Sequence, residues 1–185
     1  MAVDRRETLL LLGAGVISSR LESAQHHLHV LRSTPGRYQP QFFTEREHAL
    51  LDQVAEMILP ADEHSPGAHA ARVADYIDLV VAHSPHSVQQ QWRAQLAAFD
   101  QLARAAAGQP FLELDQPERA RVLDLAAQGE INPSSPAEQF FVAMKKMTLA
   151  AYYTSEIGLL QELGYQGNRV RASFPGCRHP RGSHT

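Results

Sequence analysis

Apolar residues recur at helical spacing along most of the chain, and the first such stretch has a clear start and end. Thr44 and Glu47 have the spacing of a capping box, in which the two side chains satisfy the free amides at a helix start. Apolar positions then recur three and four residues apart until Pro60, a residue that cannot continue a helix. The pattern predicts a first helix just before Pro60, with a buried face formed by Leu50, Leu51, Val54, Ala55 and Ile58.

Four further stretches show the same periodicity after a turn-rich loop over residues 61–68. They predict a helix from about residue 73 to near Ser84-Pro85, and helices over about 87–106 and 117–128. A fifth is capped by Ser135, begins at Pro136 and extends toward Gly158. β-branched residues are sparse and alternate nowhere cleanly, so strands are not predicted. The expected fold is all-α, a compact bundle of about five helices.

The helical periodicity is confined to the middle of the chain, which predicts four regions. Residues 1–24 resemble an export signal, 25–41 a polar arm, 42–163 a helical domain and 164–185 an extended, irregular tail. The tail contains several glycines and prolines and has no amphipathic period, so it can bury little surface on itself. We therefore expect it to become ordered on a partner protein, at an entropic cost.

The first residues carry the pattern of a targeting signal. Arg5 and Arg6 stand directly before a mildly apolar run over residues 8–17. Ten residues rise about 15 Å as a helix, far less than the roughly 30 Å hydrocarbon core of a membrane. The arginine pair favours a signal of the twin-arginine type, although no clear cleavage motif follows. The alternative is a cytosolic amphipathic helix.

Composition narrows the possible functions. The chain is 44% hydrophobic and 20% charged with a net charge of −3, and it has no clustered basic segment that predicts nucleic-acid binding. Its one cysteine, Cys177, rules out an intramolecular disulfide, a four-cysteine zinc site and the CxxCH attachment of a c-type haem. Haem or iron–sulfur chemistry would therefore have to belong to another chain.

The residues that could support catalysis do not form a recognisable pattern. The ten histidines include no HExxH motif, and neither Ser65 nor Ser155 lies in a Gly-x-Ser-x-Gly elbow. Asp62 and Asp78 could act as paired carboxylates, but a capping role for Asp62 and a surface or interface bond for Asp78 are favoured. No nucleophile, base and oxyanion hole can be assembled from the sequence, so no catalytic or metal-binding residue is predicted.

An ordered set of short motifs resembles the gluconate 2-dehydrogenase subunit 3 family. The motifs extend from about residue 42 to 177. They are Phe43-Thr44-Glu45, Ile58-Leu59-Pro60-Ala61-Asp62, Ser65-Pro66-Gly67-Ala68, Val73, Tyr76-Ile77-Asp78, Gly108-x-x-Phe111, Phe140-Phe141, Tyr152-Tyr153-Thr154-Ser155, Gly158, Tyr165-x-Gly167 and Pro175-Gly176. The twin-arginine-like start is also typical of these subunits.

The resemblance implies a non-catalytic small (gamma) subunit without a cofactor of its own. Its implied partner is a large FAD-carrying dehydrogenase subunit that oxidises gluconate, a related sugar acid or a sugar, and a multihaem cytochrome c often accepts the electrons. The small subunit is expected to help the flavoprotein mature and cross the membrane. It would then be periplasmic and membrane-associated only through the complex.

A subunit of this kind needs an extensive binding surface, and the aromatic residues of the last third of the chain are candidates. Tyrosine often anchors protein interfaces. We predict contacts to the flavoprotein through Tyr152, Tyr153, Tyr165, Phe174 and Pro175. In each adjacent pair, Phe140-Phe141 and Tyr152-Tyr153, we expect one ring in the core, because a helix cannot direct both inward. The alternative function is an autonomous periplasmic helical binding module or a small stand-alone enzyme.

Overall fold

A computed structural model describes residues 38–167, and all regular secondary structure in this range is helical. The five longest helices are α1 (Glu45–Ile58), α3 (Val73–Ala82), α4 (His86–Ala107), α5 (Gln116–Ala127) and α6 (Pro136–Thr154). A four-residue helix α2 (Gly67–Ala70), a 3₁₀ turn (Phe111–Glu113) and a π-helix (Ile157–Glu162) complete the described chain. The predicted all-α bundle is confirmed.

The helix starts follow from local sequence. Thr44 Oγ1 accepts from the Glu47 amide at 3.2 Å, and the Thr44 amide donates to the Glu47 carboxylate at 2.8 Å. Ser135 and Glu138 form the same reciprocal pair at the start of α6. Asp115 accepts from the Glu118 amide at 2.9 Å and caps α5. These bonds satisfy amides that have no partner within the helix, which explains why the starts were predictable.

Helix α6 is the centre of the bundle, and this overturns one prediction. It packs against α1, α3, α4 and α5. Phe140 and Phe141 are both buried, with 0% and 7% of their surface exposed, although only one was expected in the core. A helix surrounded by neighbours buries a much wider arc than a surface helix does, so adjacent side chains can both find apolar contacts.

The loop before α3 contains a helical turn that the sequence did not predict. Residues 61–68 were predicted to be a loop, yet α2 begins at Gly67, inside that range. A single turn is too short to show an apolar period. Gly67 adopts a φ of +81°, and a Cβ there would lie 2.7 Å from the Ala61 nitrogen, so the close approach of the chain requires glycine.

Residues 38–43, termed the strap, lie against α3 and α4 before α1 begins. The side chain of Tyr38 and the amides of Gln41, Phe42 and Phe43 all donate to the carboxylate of Asp78 on α3. Contacts with the helical body are therefore already present at Tyr38, the first described residue. No helix among residues 38–167 combines the length and the hydropathy that a membrane crossing requires.

Candidate partner-binding surface

The end of α6 is shaped by Ser155. The helix was predicted to extend toward Gly158, but it ends at Thr154, and Ser155 is extended (φ −73°, ψ 163°). The Ser155 hydroxyl donates to the Tyr152 carbonyl at 2.6 Å and accepts from the Gly158 amide at 3.0 Å. A serine side chain that replaces backbone partners in this way competes with the helix, which explains the early end. Ser155 thus joins α6 to the π-helix.

Gly158 allows the π-helix to lie directly on the end of α6. The residue is buried, and a Cβ at this position would lie 2.1 Å from the Tyr152 carbonyl oxygen and 2.8 Å from the Tyr152 carbonyl carbon. Because both atoms belong to the backbone, no side-chain rotation could relieve such a contact. The tight approach sets the direction of the π-helix and of the side chains that it carries.

A groove separates the π-helix from the segment that joins α2 to α3. Its volume is about 650 Å³, and its lining is mostly apolar. One wall includes Ala71 and Tyr76, and the other includes Ile157, Leu160 and Tyr165. The groove is open to solvent and runs along the side of the π-helix, so an elongated apolar segment of another protein could lie in it.

Next to the groove, three exposed side chains form what we call the apolar ridge: Leu160, Leu163 and Tyr165. They are 53%, 57% and 45% exposed. Only Ile131 and Leu149 are other large apolar side chains with this degree of exposure in the described part of the chain. The Tyr165 amide donates to the Leu159 carbonyl at 2.8 Å, which holds the ridge together. Clustered exposed apolar residues mark interaction sites, whereas scattered ones are ordinary.

The residues that were predicted to contact a partner differ in how exposed they are. Tyr165 is exposed and lies on both the ridge and the groove. Tyr153 is half-buried, and its hydroxyl donates to Glu162 on the π-helix at 2.9 Å; this hydrogen bond, with burial, raises the pKa of Tyr153. Tyr153 therefore supports the surface from beneath. Phe174 and Pro175 lie outside the described residues.

Tyr152 is a correction to the predicted interface. Its side chain is fully buried, and its hydroxyl lies 2.6 Å from the hydroxyl of Ser65 in the loop before α2. The side chain points into the core, where Ser65 holds its hydroxyl. Tyr152 therefore stabilises the body and presents no surface to a partner in this structure.

The two carboxylates considered for catalysis have separate structural roles. Asp62 accepts from the amides of His64 and Ser65 at 2.8 and 2.7 Å, as predicted for a cap, and these bonds lower its pKa. Asp78 was expected to make a surface or interface bond; it is fully buried and accepts hydrogen bonds from the strap. Within residues 38–167 no group of three or more acidic, histidine or cysteine side chains is placed to hold a metal ion.

Sequence reasoning missed Leu160 and Leu163 as surface residues. The available signal was the run Ile157-Gly158-Leu159-Leu160-Gln161-Glu162-Leu163, which is apolar on more than one side for a segment after the last predicted helix. A segment that is apolar all round has to be covered by other groups. Part of this apolar surface packs on α6, and the rest forms the ridge.

Comparison with protein families identifies the family of this chain. The family described as gluconate 2-dehydrogenase subunit 3 matches residues 45–170, more than half of the chain. The matched range starts at the first residue of α1 and includes every helix that residues 38–167 contain, the groove and the apolar ridge. Neither the curated proteins nor the solved structures that were searched gave a match.

Proposed function

The chain belongs to the gluconate 2-dehydrogenase subunit 3 family, and we propose that it is the non-catalytic small subunit of a periplasmic sugar or sugar-acid dehydrogenase complex. Its partner is a large FAD-dependent subunit that oxidises gluconate, a related sugar acid or a sugar. A multihaem cytochrome c is a further partner that accepts the electrons and ties the complex to the membrane. In this proposal the small subunit carries no cofactor and acts by binding and by accompanying the flavoprotein through export.

The observation that supports binding most directly is the apolar ridge beside the groove. Leu160 and Leu163 expose more than half of their surface, a costly arrangement in water unless another protein covers it. Their position is fixed by the contact of Gly158 with the Tyr152 backbone and by the Tyr153–Glu162 hydrogen bond. A preorganised apolar centre with a tyrosine beside it is typical of stable interfaces, since little entropy is lost on binding.

A charged side chain on the apolar ridge is expected to weaken binding of the flavoprotein. Leu160→Asp should weaken binding by at least about 2 kcal/mol, roughly thirty-fold in Kd, because the carboxylate would be buried without a partner at the interface. The measurement is the amount of large subunit and of FAD absorbance recovered with the tagged small subunit after co-expression. Ile131→Asp is the matched control, since Ile131 is fully exposed on the loop between α5 and α6.

Full recovery of the flavoprotein with Leu160→Asp would refute the ridge as the docking surface. The remaining proposed contacts are tested together by a chain that ends after Gly164, which lacks Tyr165, Phe174 and Pro175. Less flavoprotein should be recovered with this shortened chain. Tyr153 and its hydrogen bond to Glu162 are retained in it, so the loss would come from the residues after Gly164.

For export, we propose that Arg5 and Arg6 direct the assembled pair through the twin-arginine route. This route carries folded cargo, so a flavoprotein that has already bound FAD can cross with a signalled partner. Arg5→Lys combined with Arg6→Lys should leave both subunits in the cytoplasm, as measured by fractionation and dye-linked dehydrogenase activity. In the Leu160→Asp variant only the small subunit should reach the periplasm. Unchanged periplasmic recovery of the double-lysine variant would end the export proposal.

The alternative function, an autonomous periplasmic binding module or a small enzyme, is favoured by one observation. The groove has a volume in the range of small-molecule sites, roughly 300–1,000 Å³. The two functions differ in what the isolated chain does. Turnover or saturable ligand binding by the purified chain, in the absence of any flavoprotein, would favour the alternative, whereas an inactive, colourless chain favours the subunit.

A further inference from the structure

The strap is bound to the helical body by one buried carboxylate. Asp78 is fully buried, and its two oxygens accept four hydrogen bonds, from the Tyr38 hydroxyl at 2.7 Å and from the amides of Gln41, Phe42 and Phe43 at 2.7, 3.1 and 2.8 Å. A buried carboxylate is costly unless it is saturated with donors in this way. The strap and Asp78 therefore depend on each other: without the strap, this carboxylate loses these four donors.

Helix α4 holds the same segment from a second direction. Arg93 donates to the Phe42 carbonyl at 3.1 Å, and its guanidinium carbon lies 4.5 Å from the centre of the Phe42 ring. Phe43 is 4% exposed, and its ring centre lies 6.2 Å from that of Trp92 on the same helix. The binding site of the strap is thus made of parts of both α3 and α4, and neither helix supplies it alone.

The polar groups next to Asp78 have partners that leave its carboxylate to the strap. Burial and the hydrogen bond to Asp78 raise the pKa of Tyr38, so its hydroxyl remains a donor. The neighbouring carboxylate of Asp75 is paired with Arg72 at 2.7 Å and with His48 at 2.9 Å. Burial favours the neutral form of His48, but its bond to Asp75 and nearby carboxylates outweigh this and raise its pKa. Arg72 and His48 therefore bond to Asp75 and leave Asp78 to the strap.

The contacts of the strap join residues far apart in the sequence. Its hydrogen bonds to Asp78 and Arg93 connect positions 35 to 51 residues apart. The strap can close only after α3 and α4 have packed together, because its binding site does not exist before that. It is also the segment through which residues 1–37, with Arg5 and Arg6, are joined to the bundle.

We propose that closure of the strap makes export depend on a completed fold: an unpacked body leaves the strap open, and the chain is then a poor substrate for the twin-arginine route. This inference rests on the export step of the proposed function. An open strap exposes Phe42, Phe43 and the face of Trp92, and such apolar surface next to a signal is a feature of unfolded cargo. Closure buries that surface.

The test uses the full chain with Asp78→Asn, which keeps the size of the side chain but removes its charge. The amides of Gln41, Phe42 and Phe43 should exchange hydrogen roughly 10- to 100-fold faster, because charge-assisted bonds are replaced by weaker ones. Periplasmic recovery should fall at the same expression level. Tyr38→Phe, which removes one donor and leaves the three amide bonds, should have a smaller effect of the same kind and keeps the test valid if Asp78→Asn folds poorly.

The matched control is Leu123→Ala on α5, a buried position that contributes none of the strap bonds. The two variants are compared under conditions in which Leu123→Ala and Asp78→Asn lower the free energy of unfolding by the same amount. Lower export of the strap variants than of this control supports the inference, and equal export overturns it. Export of the double-lysine variant at the wild-type level would instead reject the export route itself, so the two failures are distinguishable.

Discussion

Replacing Gly158 with alanine is expected to destabilise the protein by about 3 kcal/mol and to release the flavoprotein partner. In an ordinary helix this substitution stabilises by about 1 kcal/mol, because glycine has the greater freedom to lose. Here the new Cβ would lie 2.1 Å from the Tyr152 carbonyl oxygen, so the π-helix has to move away from α6. Overpacking of this kind typically costs about 1–3 kcal/mol, and a backbone contact falls at the upper end.

The displacement also moves the apolar ridge, because Leu160 and Leu163 belong to or directly follow the π-helix. Chemical denaturation measures the first effect, and co-purification of the large subunit measures the second. Gly108→Ala is an informative contrast: Gly108 has a φ of +78°, and a Cβ there would have no atom within 4 Å, so only the backbone strain of about 1 kcal/mol is expected. Wild-type stability of Gly158→Ala would contradict the described contact.

Tyr152→Ala should lower the free energy of unfolding by about 3–5 kcal/mol, the usual cost of removing a large buried ring. Tyr152 is fully buried between α6 and its neighbours, and its hydroxyl is paired with Ser65 at 2.6 Å. Tyr152→Phe keeps the ring and loses that pairing, with an expected cost of about 1–2 kcal/mol. The measurement is urea denaturation of the free subunit, without any partner present.

This experiment separates a core role from an interface role. Tyr153→Ala is the neighbouring comparison: Tyr153 is half-buried and bonded to Glu162, so its removal should cost the free subunit less and affect partner binding more. A Tyr152→Ala variant that is as stable as the wild type but no longer binds the flavoprotein would contradict the core role. It would support the contact predicted from the sequence.

The candidate surface was predictable only in part, and the residues show why. Tyr165 was identified from its position in an irregular aromatic segment, and it does lie on the exposed ridge. Tyr152 was predicted at the interface together with Tyr153, but its ring is in the core, because successive helical residues are separated by about 100° around the axis. Leu160 and Leu163 were missed because a six-residue π-helix is too short to show a hydrophobic period.

Local sequence determined where most of the long helices begin and end. The capping pairs Thr44–Glu47 and Ser135–Glu138, the cap Asp115 and the breaks at Pro60 and Gly108 act over three or four residues, so their hydrogen bonds and steric limits are readable from order alone. The spacing of apolar positions between them was enough to predict an all-α bundle, and the ordered motifs were enough to predict the family to which the chain belongs.

The tertiary structure alone decided which apolar face would be left uncovered and which polar groups would be buried. Asp78 lies inside because four donors from a distant segment reach it, and Phe141 is buried because α6 has neighbours on several sides. The ridge stays exposed because the close contact at Gly158 turns the π-helix outward. Each outcome depends on groups far apart in the sequence, and their energies exist only once the helices have packed.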